Sequence, residues 1–352
     1  MDDYIKIKEI MDSFYQYVIG YLPHIDDYID IIDCFSKVVI EKISNYYLKH
    51  DIYPFEQDDF IEMDISKKID LIKEFLINKN ISFDMDYYLS SGVIDITCRN
   101  FDDYCFNGQF KQGYNRYDGE HKCIDIHDHG ILLDSVCWVH EIVHFLNQTD
   151  FDRSEEGKIF TEAISFFYEL IYMDYLVHNG YPIEEYYLDN LDGEAGMLKY
   201  TSPFLSLFRV YSKTGDVSLD TFSIIYSKKS EDINEYSMYY EPQDFYSLVQ
   251  EVFDSYDSFV HKEDFYSSYL VGFMYSFALP LQIYSYQRYL EDSSFYDRVE
   301  KLNSSVNHSS FLECMDLLLI PYPMTDSFLE QLGEDTTHYM EQIGEYVKKK
   351  YL

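Results

Sequence analysis

The sequence contains few basic residues for its length. Among 352 residues there are 27 Lys and Arg against 64 Asp and Glu, which gives a formal net charge of −37 at pH 7. A charge of this sign and size repels nucleic-acid phosphates and anionic membrane surfaces. We therefore expect neither nucleic acid nor membrane as a partner. The charge would attract cationic peptides. One function that this charge allows is that of an acidic binding protein that mimics phosphate charge.

The sequence also lacks a cysteine framework and a secretory signal. Its six cysteines form no CxxC pair and no dense pattern, so we expect free thiols in a reducing compartment. The N-terminal segment MDDYIKIKEIMDSF has neither a basic n-region nor an apolar h-region. The longest uncharged run, residues 265–287, contains several tyrosines and Pro280, which favours a buried helix over a membrane span. These absences together predict a cytoplasmic protein.

The hydrophobic periodicity predicts a mostly helical chain with a small β-sheet, an α+β fold. Apolar residues recur every three or four positions through residues 1–80 and again from Asp134 onward. Between them, GVIDITCR and KCIDIHD alternate apolar and polar residues, as strands do. We therefore predict a helical N-terminal region at 1–80 and a second region at 81–352, whose sheet lies just before the segment VHEIVHFLN.

The segment VHEIVHFLN contains two histidines four residues apart. In a helix, His140 and His144 lie about 40° apart around the axis, so both imidazoles could bind one metal ion. Glu141 is placed to contact a water on the metal rather than the metal itself. This is the HExxH arrangement of zinc hydrolases. The alternative is a buried amphipathic helix whose histidines hydrogen-bond locally. Asp134, just before the apolar run, is a candidate N-cap.

A second helical segment, FTEAISFFYELIYMDYL, supplies a carboxylate. Glu162 follows His144 after a polar loop that allows the second helix to pack antiparallel to the first. Glu162 could then be a third metal ligand, and Ser165 and Glu169 on the same face could orient the ligands. The alternative for Glu162 is a surface carboxylate that the helix dipole favours in a first turn.

These two segments, DSVCWVHEIVHFLN and TEAISFFYELIYMDYL, resemble the catalytic core of the oligoendopeptidase F and thimet oligopeptidase family of zinc peptidases. That family pairs HExxH with a later ExxS helix, in the gluzincin manner. The resemblance covers about residues 105–352 and implies a zincin-like core, in which the active-site helix packs beside a small sheet and is surrounded by helices. It implies that His140, His144 and Glu162 hold Zn²⁺ and that Glu141 is the general base.

The segment HKEDFYSSYLVGFMYSFALPL resembles the tyrosine-rich part of the same family, which faces the zinc ion. The resemblance implies that His261, Tyr266 and Tyr269 hydrogen-bond the tetrahedral intermediate, and Tyr275 is a further candidate. In a chain with 38 tyrosines, the alternative for each of them is packing.

Two further features belong to the predicted sheet. His127 and His129 form an HxH pair that could face a second metal ion, although a polar strand end is the simpler interpretation. The strand near Cys123–His127 is expected to pair with extended substrate backbone.

The sequence and the resemblance together predict a zinc-dependent peptidase that hydrolyses internal bonds of short peptides, by means of a Zn²⁺-activated water and a glutamate base. Besides the charge mimic, the alternative is a peptide-binding descendant of the same fold without turnover.

Overall fold

The computed structural model describes residues 2–22, 24–50, 60–99, 113–118, 121–147, 157–183, 186–226 and 244–351. These residues form three strands, β1 (Ile94–Cys98), β2 (Gly113–Asp118) and β3 (His121–Asp128). Their helices are α1 (Asp2–Ile19), α2 (Ile25–His50), α3 (Ile65–Asn78), α4 (Met85–Ser90), α5 (Asp134–Asn147), α6 (Lys158–His178), α7 (Tyr186–Thr214), α8 (Leu219–Tyr226), α9 (Asp244–Ser258), α10 (Lys262–Glu291), α11 (Phe295–Ser305), α12 (Phe311–Leu317) and α13 (Asp326–Tyr351). The predicted mostly helical fold with a small sheet is confirmed.

The three strands form one sheet in the order β1-β3-β2. β3 runs parallel to β1 and antiparallel to β2, so that Ile124 pairs with Ile94 on one side and with Asn115 on the other. The expectation that Cys123–His127 binds substrate backbone is therefore wrong, since protein strands occupy both edges of β3. Alternation identified the strand but could not give its place in the sheet. Within the described residues, β2 is hydrogen-bonded to β3 alone and supplies the outer edge.

Helix α5 lies beside this sheet and packs against α6. Near the start of α5, the Tyr172 hydroxyl donates a hydrogen bond to Ser135 Oγ at 3.1 Å. Near its end, His144 Nε2 lies 3.3 Å from Glu162 Oε2. Since later residues of α5 meet earlier residues of α6, the two helices are antiparallel, as the sequence predicted.

Helix α10 contains the long uncharged run and packs against α6 and α7. The Phe277 ring lies 5.1 Å from that of Phe160 on α6, and the Phe273 ring lies 5.2 Å from that of Phe208 on α7. Residues 276–287 are buried, which confirms the interpretation of this run as a core helix. In the described part of the chain, no helix is long and apolar enough to cross a membrane.

The N-terminal helices pack against later parts of the chain. Helix α2 contacts α7, α10 and α13, and α1 contacts α7 and α10. The Phe14 ring of α1 lies 4.6 Å from that of Phe204 and 5.3 Å from that of Phe273. The division into regions 1–80 and 81–352 stays a prediction.

A buried charge cluster fixes the start of α5. The fully buried Lys68 of α3 donates to Asp134 Oδ2 at 2.7 Å and to the Ile131 carbonyl at 3.1 Å. Asp134 also accepts from the backbone N–H of His129 at 2.9 Å. Burial alone would raise the pKa of Asp134, but His129 and Lys68 lower it below its usual value. Asp134 thus joins α5 to α3 and to the preceding loop.

Candidate active site

Three side chains from α5 and α6 converge on one point. His140 Nε2 and His144 Nε2 lie 3.4 and 3.3 Å from Glu162 Oε2, and the ligand atoms of all three residues lie within 4.8 Å of one another. The two imidazole rings are 4.5 Å apart and inclined at 71°. This is the set that HExxH and helical spacing predicted, and the antiparallel packing of α5 and α6 brings it together.

The cluster fits a tetrahedral zinc ion. Nitrogen and oxygen ligands about 2.0–2.1 Å from zinc lie about 3.3–3.4 Å from one another in a tetrahedron, which matches both histidine–glutamate distances. Glu162 Oε2 is buried and has no hydrogen-bond partner among the described residues, and the same is true of His144 Nδ1. A buried carboxylate oxygen that lies 3.3–3.4 Å from two imidazole nitrogens is suited to bind a cation together with them.

Glu169 contacts the cluster through His140. Its Oε1 lies 2.6 Å from His140 Nδ1, on the opposite side of the ring from Glu162. A carboxylate in this position fixes the tautomer and orientation of a metal-binding imidazole. Ser165, one turn before Glu169 on α6, is fully buried, and its hydroxyl has no partner in the described residues.

The imidazoles and carboxylates of the cluster shift one another's pKa values. Burial opposes protonation of His140, but the Glu169 and Glu162 carboxylates outweigh it and raise the pKa of His140 well above its usual value. Burial alone would raise the pKa of Glu162, whereas His144 and His140 lower it below its usual value. The carboxylates of Glu162 and Glu169 therefore favour a positive charge on the imidazole between them.

Glu141 lies under strand β2. Its Oε2 accepts a hydrogen bond from Asn115 Nδ2 at 2.7 Å, and its backbone carbonyl accepts one from the same nitrogen at 3.0 Å. A Cβ added to Gly113 would lie 2.7 Å from Glu141 Cγ. The outer strand of the sheet thus passes directly over the predicted general base. The sequence did not lead us to predict Asn115 as a site residue. Asn115 lies two residues after Gly113, so the two share one face of a strand, and this spacing is the signal that could have identified it.

Lys122 of β3 binds the C-terminal end of α5, the helix that carries His140 and His144. Its ammonium donates to the backbone carbonyls of His144 and Phe145 at 2.9 and 2.6 Å, and it lies 4.7 Å from the Phe145 ring centroid. These carbonyls belong to the last turn of α5, where a helix lacks internal donors and favours a cation. This contact was also missed, because a lysine in a strand gives no local sign of its helix partner.

The predicted oxyanion residues contact other parts of the chain. The Tyr269 hydroxyl donates to Ser255 Oγ of α9 at 3.0 Å, and its ring lies 4.2 Å from that of Phe204. The Tyr266 ring lies 5.8 Å from that of Tyr17 on α1. None of these contact residues belongs to the cluster of His140, His144 and Glu162. His261, which precedes α10, is exposed.

Tyr275 contacts the surroundings of the cluster. Its ring lies 5.2 Å from that of Phe166, and the Phe166 ring lies 5.0 Å from that of His140. Six residues separate Tyr275 from Tyr269, which is about 120° around a helix. Tyr275, which was only a further candidate, is therefore separated from His140 by a single ring, that of Phe166. The roles of Tyr269, Tyr266 and His261 stay predictions.

The HxH pair is engaged elsewhere. His129 Nδ1 lies 2.8 Å from Asp134 Oδ1, and His127 Nε2 lies 3.4 Å from Arg99 Nη2. In the part of the chain that the structure describes, the group of three or more potential ligands is the cluster of His140, His144 and Glu162. These contacts favour a structural role for the HxH pair.

Comparison with known proteins supports the same fold. No family model matches the chain, and no curated protein matches it. Among solved structures, a protein from Bacillus anthracis strain Ames assigned as an oligoendopeptidase F superposes with a TM-score of 0.52 at 13% sequence identity. The match covers 94% of this chain and 57% of that protein, so this chain spans little more than half of its length. The likeness confirms, for the fold, the resemblance that the motifs suggested: over nearly its whole length the chain is similar to an oligoendopeptidase F.

Proposed function

We propose that this protein is a zinc-dependent peptidase that hydrolyses internal bonds of short peptides. The observation that carries the proposal is the convergence of His140 Nε2, His144 Nε2 and Glu162 Oε2, with Glu141 next to it in the chain. The oligoendopeptidase-like fold supports a peptidase. The chemistry of the donor set, two imidazoles and a carboxylate, supports zinc as the metal.

Zn²⁺ bound there would lower the pKa of a coordinated water and polarise the scissile carbonyl. Glu141 then acts as the general base: it accepts the proton of the attacking water and delivers it to the leaving amine nitrogen. Glu169 keeps the His140 ring oriented toward the ion. Glu162 contributes the negative charge of the ligand set.

The outer edge of β2 is the proposed site for substrate backbone. An extended peptide can add to a sheet edge through main-chain hydrogen bonds, which give affinity with little demand on sequence. The edge lies beside Glu141, since Gly113 and Asn115 of β2 both contact that residue. A peptide paired with β2 would therefore pass the general base.

A tyrosine hydroxyl is proposed to stabilise the developing oxyanion. The contact through Phe166 favours Tyr275, while the motif resemblance favours Tyr269, Tyr266 or His261. Single Tyr→Phe variants at the three tyrosine positions, together with His261→Ala, decide between them, because loss of the oxyanion donor lowers kcat by about 10²–10³-fold.

The wider context of the proposal is a cytoplasmic enzyme that acts on peptides and binds neither nucleic acid nor membrane. The five cysteines that the structure describes are free thiols, as is usual in a reducing compartment. The net charge of −37 disfavours anionic partners. A phosphate mimic has no use for a buried cluster of two histidines and a glutamate, so the peptidase is the better account.

The proposal is tested by incubating the purified protein with a mixed peptide library and reading cleavage by mass spectrometry. We expect cleavage of short peptides that a chelator abolishes and added zinc restores. The Glu141→Gln variant serves as the matched control for a contaminating peptidase. Cleavage that survives in that variant, or that ignores the chelator, would overturn the proposal. Stoichiometric zinc without any cleavage would favour the peptide-binding descendant.

A further inference from the structure

Asn115 contacts Glu141 at two points. The amide nitrogen of Asn115 donates to Glu141 Oε2 at 2.7 Å and to the Glu141 backbone carbonyl at 3.0 Å. A carboxamide nitrogen carries two hydrogens, so both are used on one residue. One contact holds the carboxylate and the other holds the helix backbone from which it extends, which restricts the rotation of the side chain between them.

The strand itself reinforces this restraint. Gly113 and Asn115 are two residues apart on β2, so they face the same side of the sheet. At Gly113, an added Cβ would lie 2.7 Å from Glu141 Cγ and 3.1 Å from Ile126 Cγ2. Strand β2 therefore contacts the Glu141 side chain at Cγ and at Oε2. Only glycine at position 113 leaves room for the Glu141 side chain.

The orientation of the Asn115 amide is determined by its partners. Both partner atoms on Glu141 accept hydrogen bonds, so the nitrogen must face them. Asn115 Oδ1 is buried and has no hydrogen-bond partner among the described residues. An aspartate at this position would have the same shape but would place an acceptor against the Glu141 carboxylate.

We propose that Asn115 is a positioning residue for Glu141. It binds Oε2 of the carboxylate and leaves Oε1 to accept the proton of the attacking water. The sheet edge that would bind the substrate thereby also aligns the general base. This inference rests on the proposed peptidase function. It extends that function to a residue that lies outside both the HExxH helix α5 and the helix α6 that carries Glu162.

The test compares Asn115→Ala and Asn115→Asp with the parent protein. We expect kcat to fall about 10-fold or more in both variants, because a general base must be held in place to contribute its rate enhancement, while KM and zinc content stay near those of the parent. Asn115→Asp should be at least as impaired as Asn115→Ala, since it keeps the shape and loses the donor. A role in packing alone predicts the reverse order. Thr97→Ala, at an exposed position on the other outer strand, is the matched control and should keep the parent kcat.

A second readout does not depend on turnover. Crystal structures of the parent and of Asn115→Asp should show the Glu141 carboxylate beside residue 115 in the parent and displaced from it in the variant. An unmoved Glu141, an unchanged kcat in Asn115→Asp, or a rise in KM with kcat unchanged would each overturn the positioning role, and the last would assign Asn115 to substrate binding. If the parent cleaves no peptide, the proposed function fails, while the crystallographic comparison still tests the contact.

Discussion

At the scale of single residues, Glu141 and Glu162 are proposed to have different roles. Glu141→Gln keeps the side-chain shape but cannot accept the proton of the attacking water, so we expect retained zinc and a loss of turnover of at least about 10²-fold. Glu162→Gln replaces a carboxylate ligand with a neutral amide, so zinc itself should be lost. Metal analysis and peptide turnover measured on the same preparations check both outcomes. A fully active Glu141→Gln variant would contradict the hydrolytic mechanism.

At the scale of elements, the histidine helix α5 depends on a strand residue for its last turn. Lys122→Met keeps the aliphatic stem and removes the ammonium that binds the His144 and Phe145 carbonyls. We expect the free energy of unfolding to fall by about 1–2 kcal/mol, because hydrogen bonds to a charged group and the helix dipole are both lost. Urea denaturation of the parent and of the variant measures this difference in the free energy of unfolding.

The matched control for Lys122 is Lys73→Met. Lys73 forms a surface ion pair with Asp86 at 2.6 Å, and exposed pairs contribute about 0–1 kcal/mol. Equal effects of the two substitutions would show that capping by Lys122 does not stabilise α5.

At the scale of the whole molecule, a buried ion network joins α2 to α7. Asp33 Oδ2 lies 2.8 Å from Lys37 Nζ and 2.6 Å from Arg209 Nη1. Burial alone would raise the pKa of Asp33, but the two cations lower it below its usual value. A carboxylate with a lowered folded-state pKa contributes stability that is fully present above its unfolded pKa, about 3.9, and is lost as the pH falls toward the folded value.

Asp33→Asn should therefore destabilise the protein by about 3–5 kcal/mol at pH 7, because it removes the buried negative charge that Lys37 and Arg209 share. Its free energy of unfolding should also depend less on pH below about 4 than that of the parent. Urea denaturation at pH 7, 5, 4 and 3 measures both effects. Parallel pH profiles for the parent and the variant would contradict the assigned charge state of Asp33.

The net charge of −37 also acts on the whole molecule. For peptides of equal length, kcat/KM should be higher for cationic than for anionic substrates at low salt, and the difference should shrink as the ionic strength rises, because the screening length is about 10 Å at 0.1 M salt. Initial rates at 0.02 and 0.5 M NaCl measure the effect. A charge preference that is independent of salt would assign the selectivity to contacts within the site.

The sequence by itself determined the helical content, the strands β1 and β3 but not β2, and the helix faces on which His140, His144 and Glu162 lie. These features follow from local periodicity, since helical phase decides which side chains share a face and a short polar loop brings the next helix back antiparallel. Asp134 shows where local reasoning failed: a cap was predicted, whereas its carboxylate binds Lys68, 66 residues away.

Only the tertiary structure decided which strand lies at the sheet edge, which tyrosine of α10 packs against Phe166 beside the cluster, and that Asn115 meets Glu141 across 26 residues of chain. Alternation shows which residues of a strand share a face but not which strands are neighbours. A helix with apolar residues on most of its faces, such as α10, likewise gives no sign of which face meets which partner. These contacts join segments that are distant in the chain, so their formation depends on how the whole core packs.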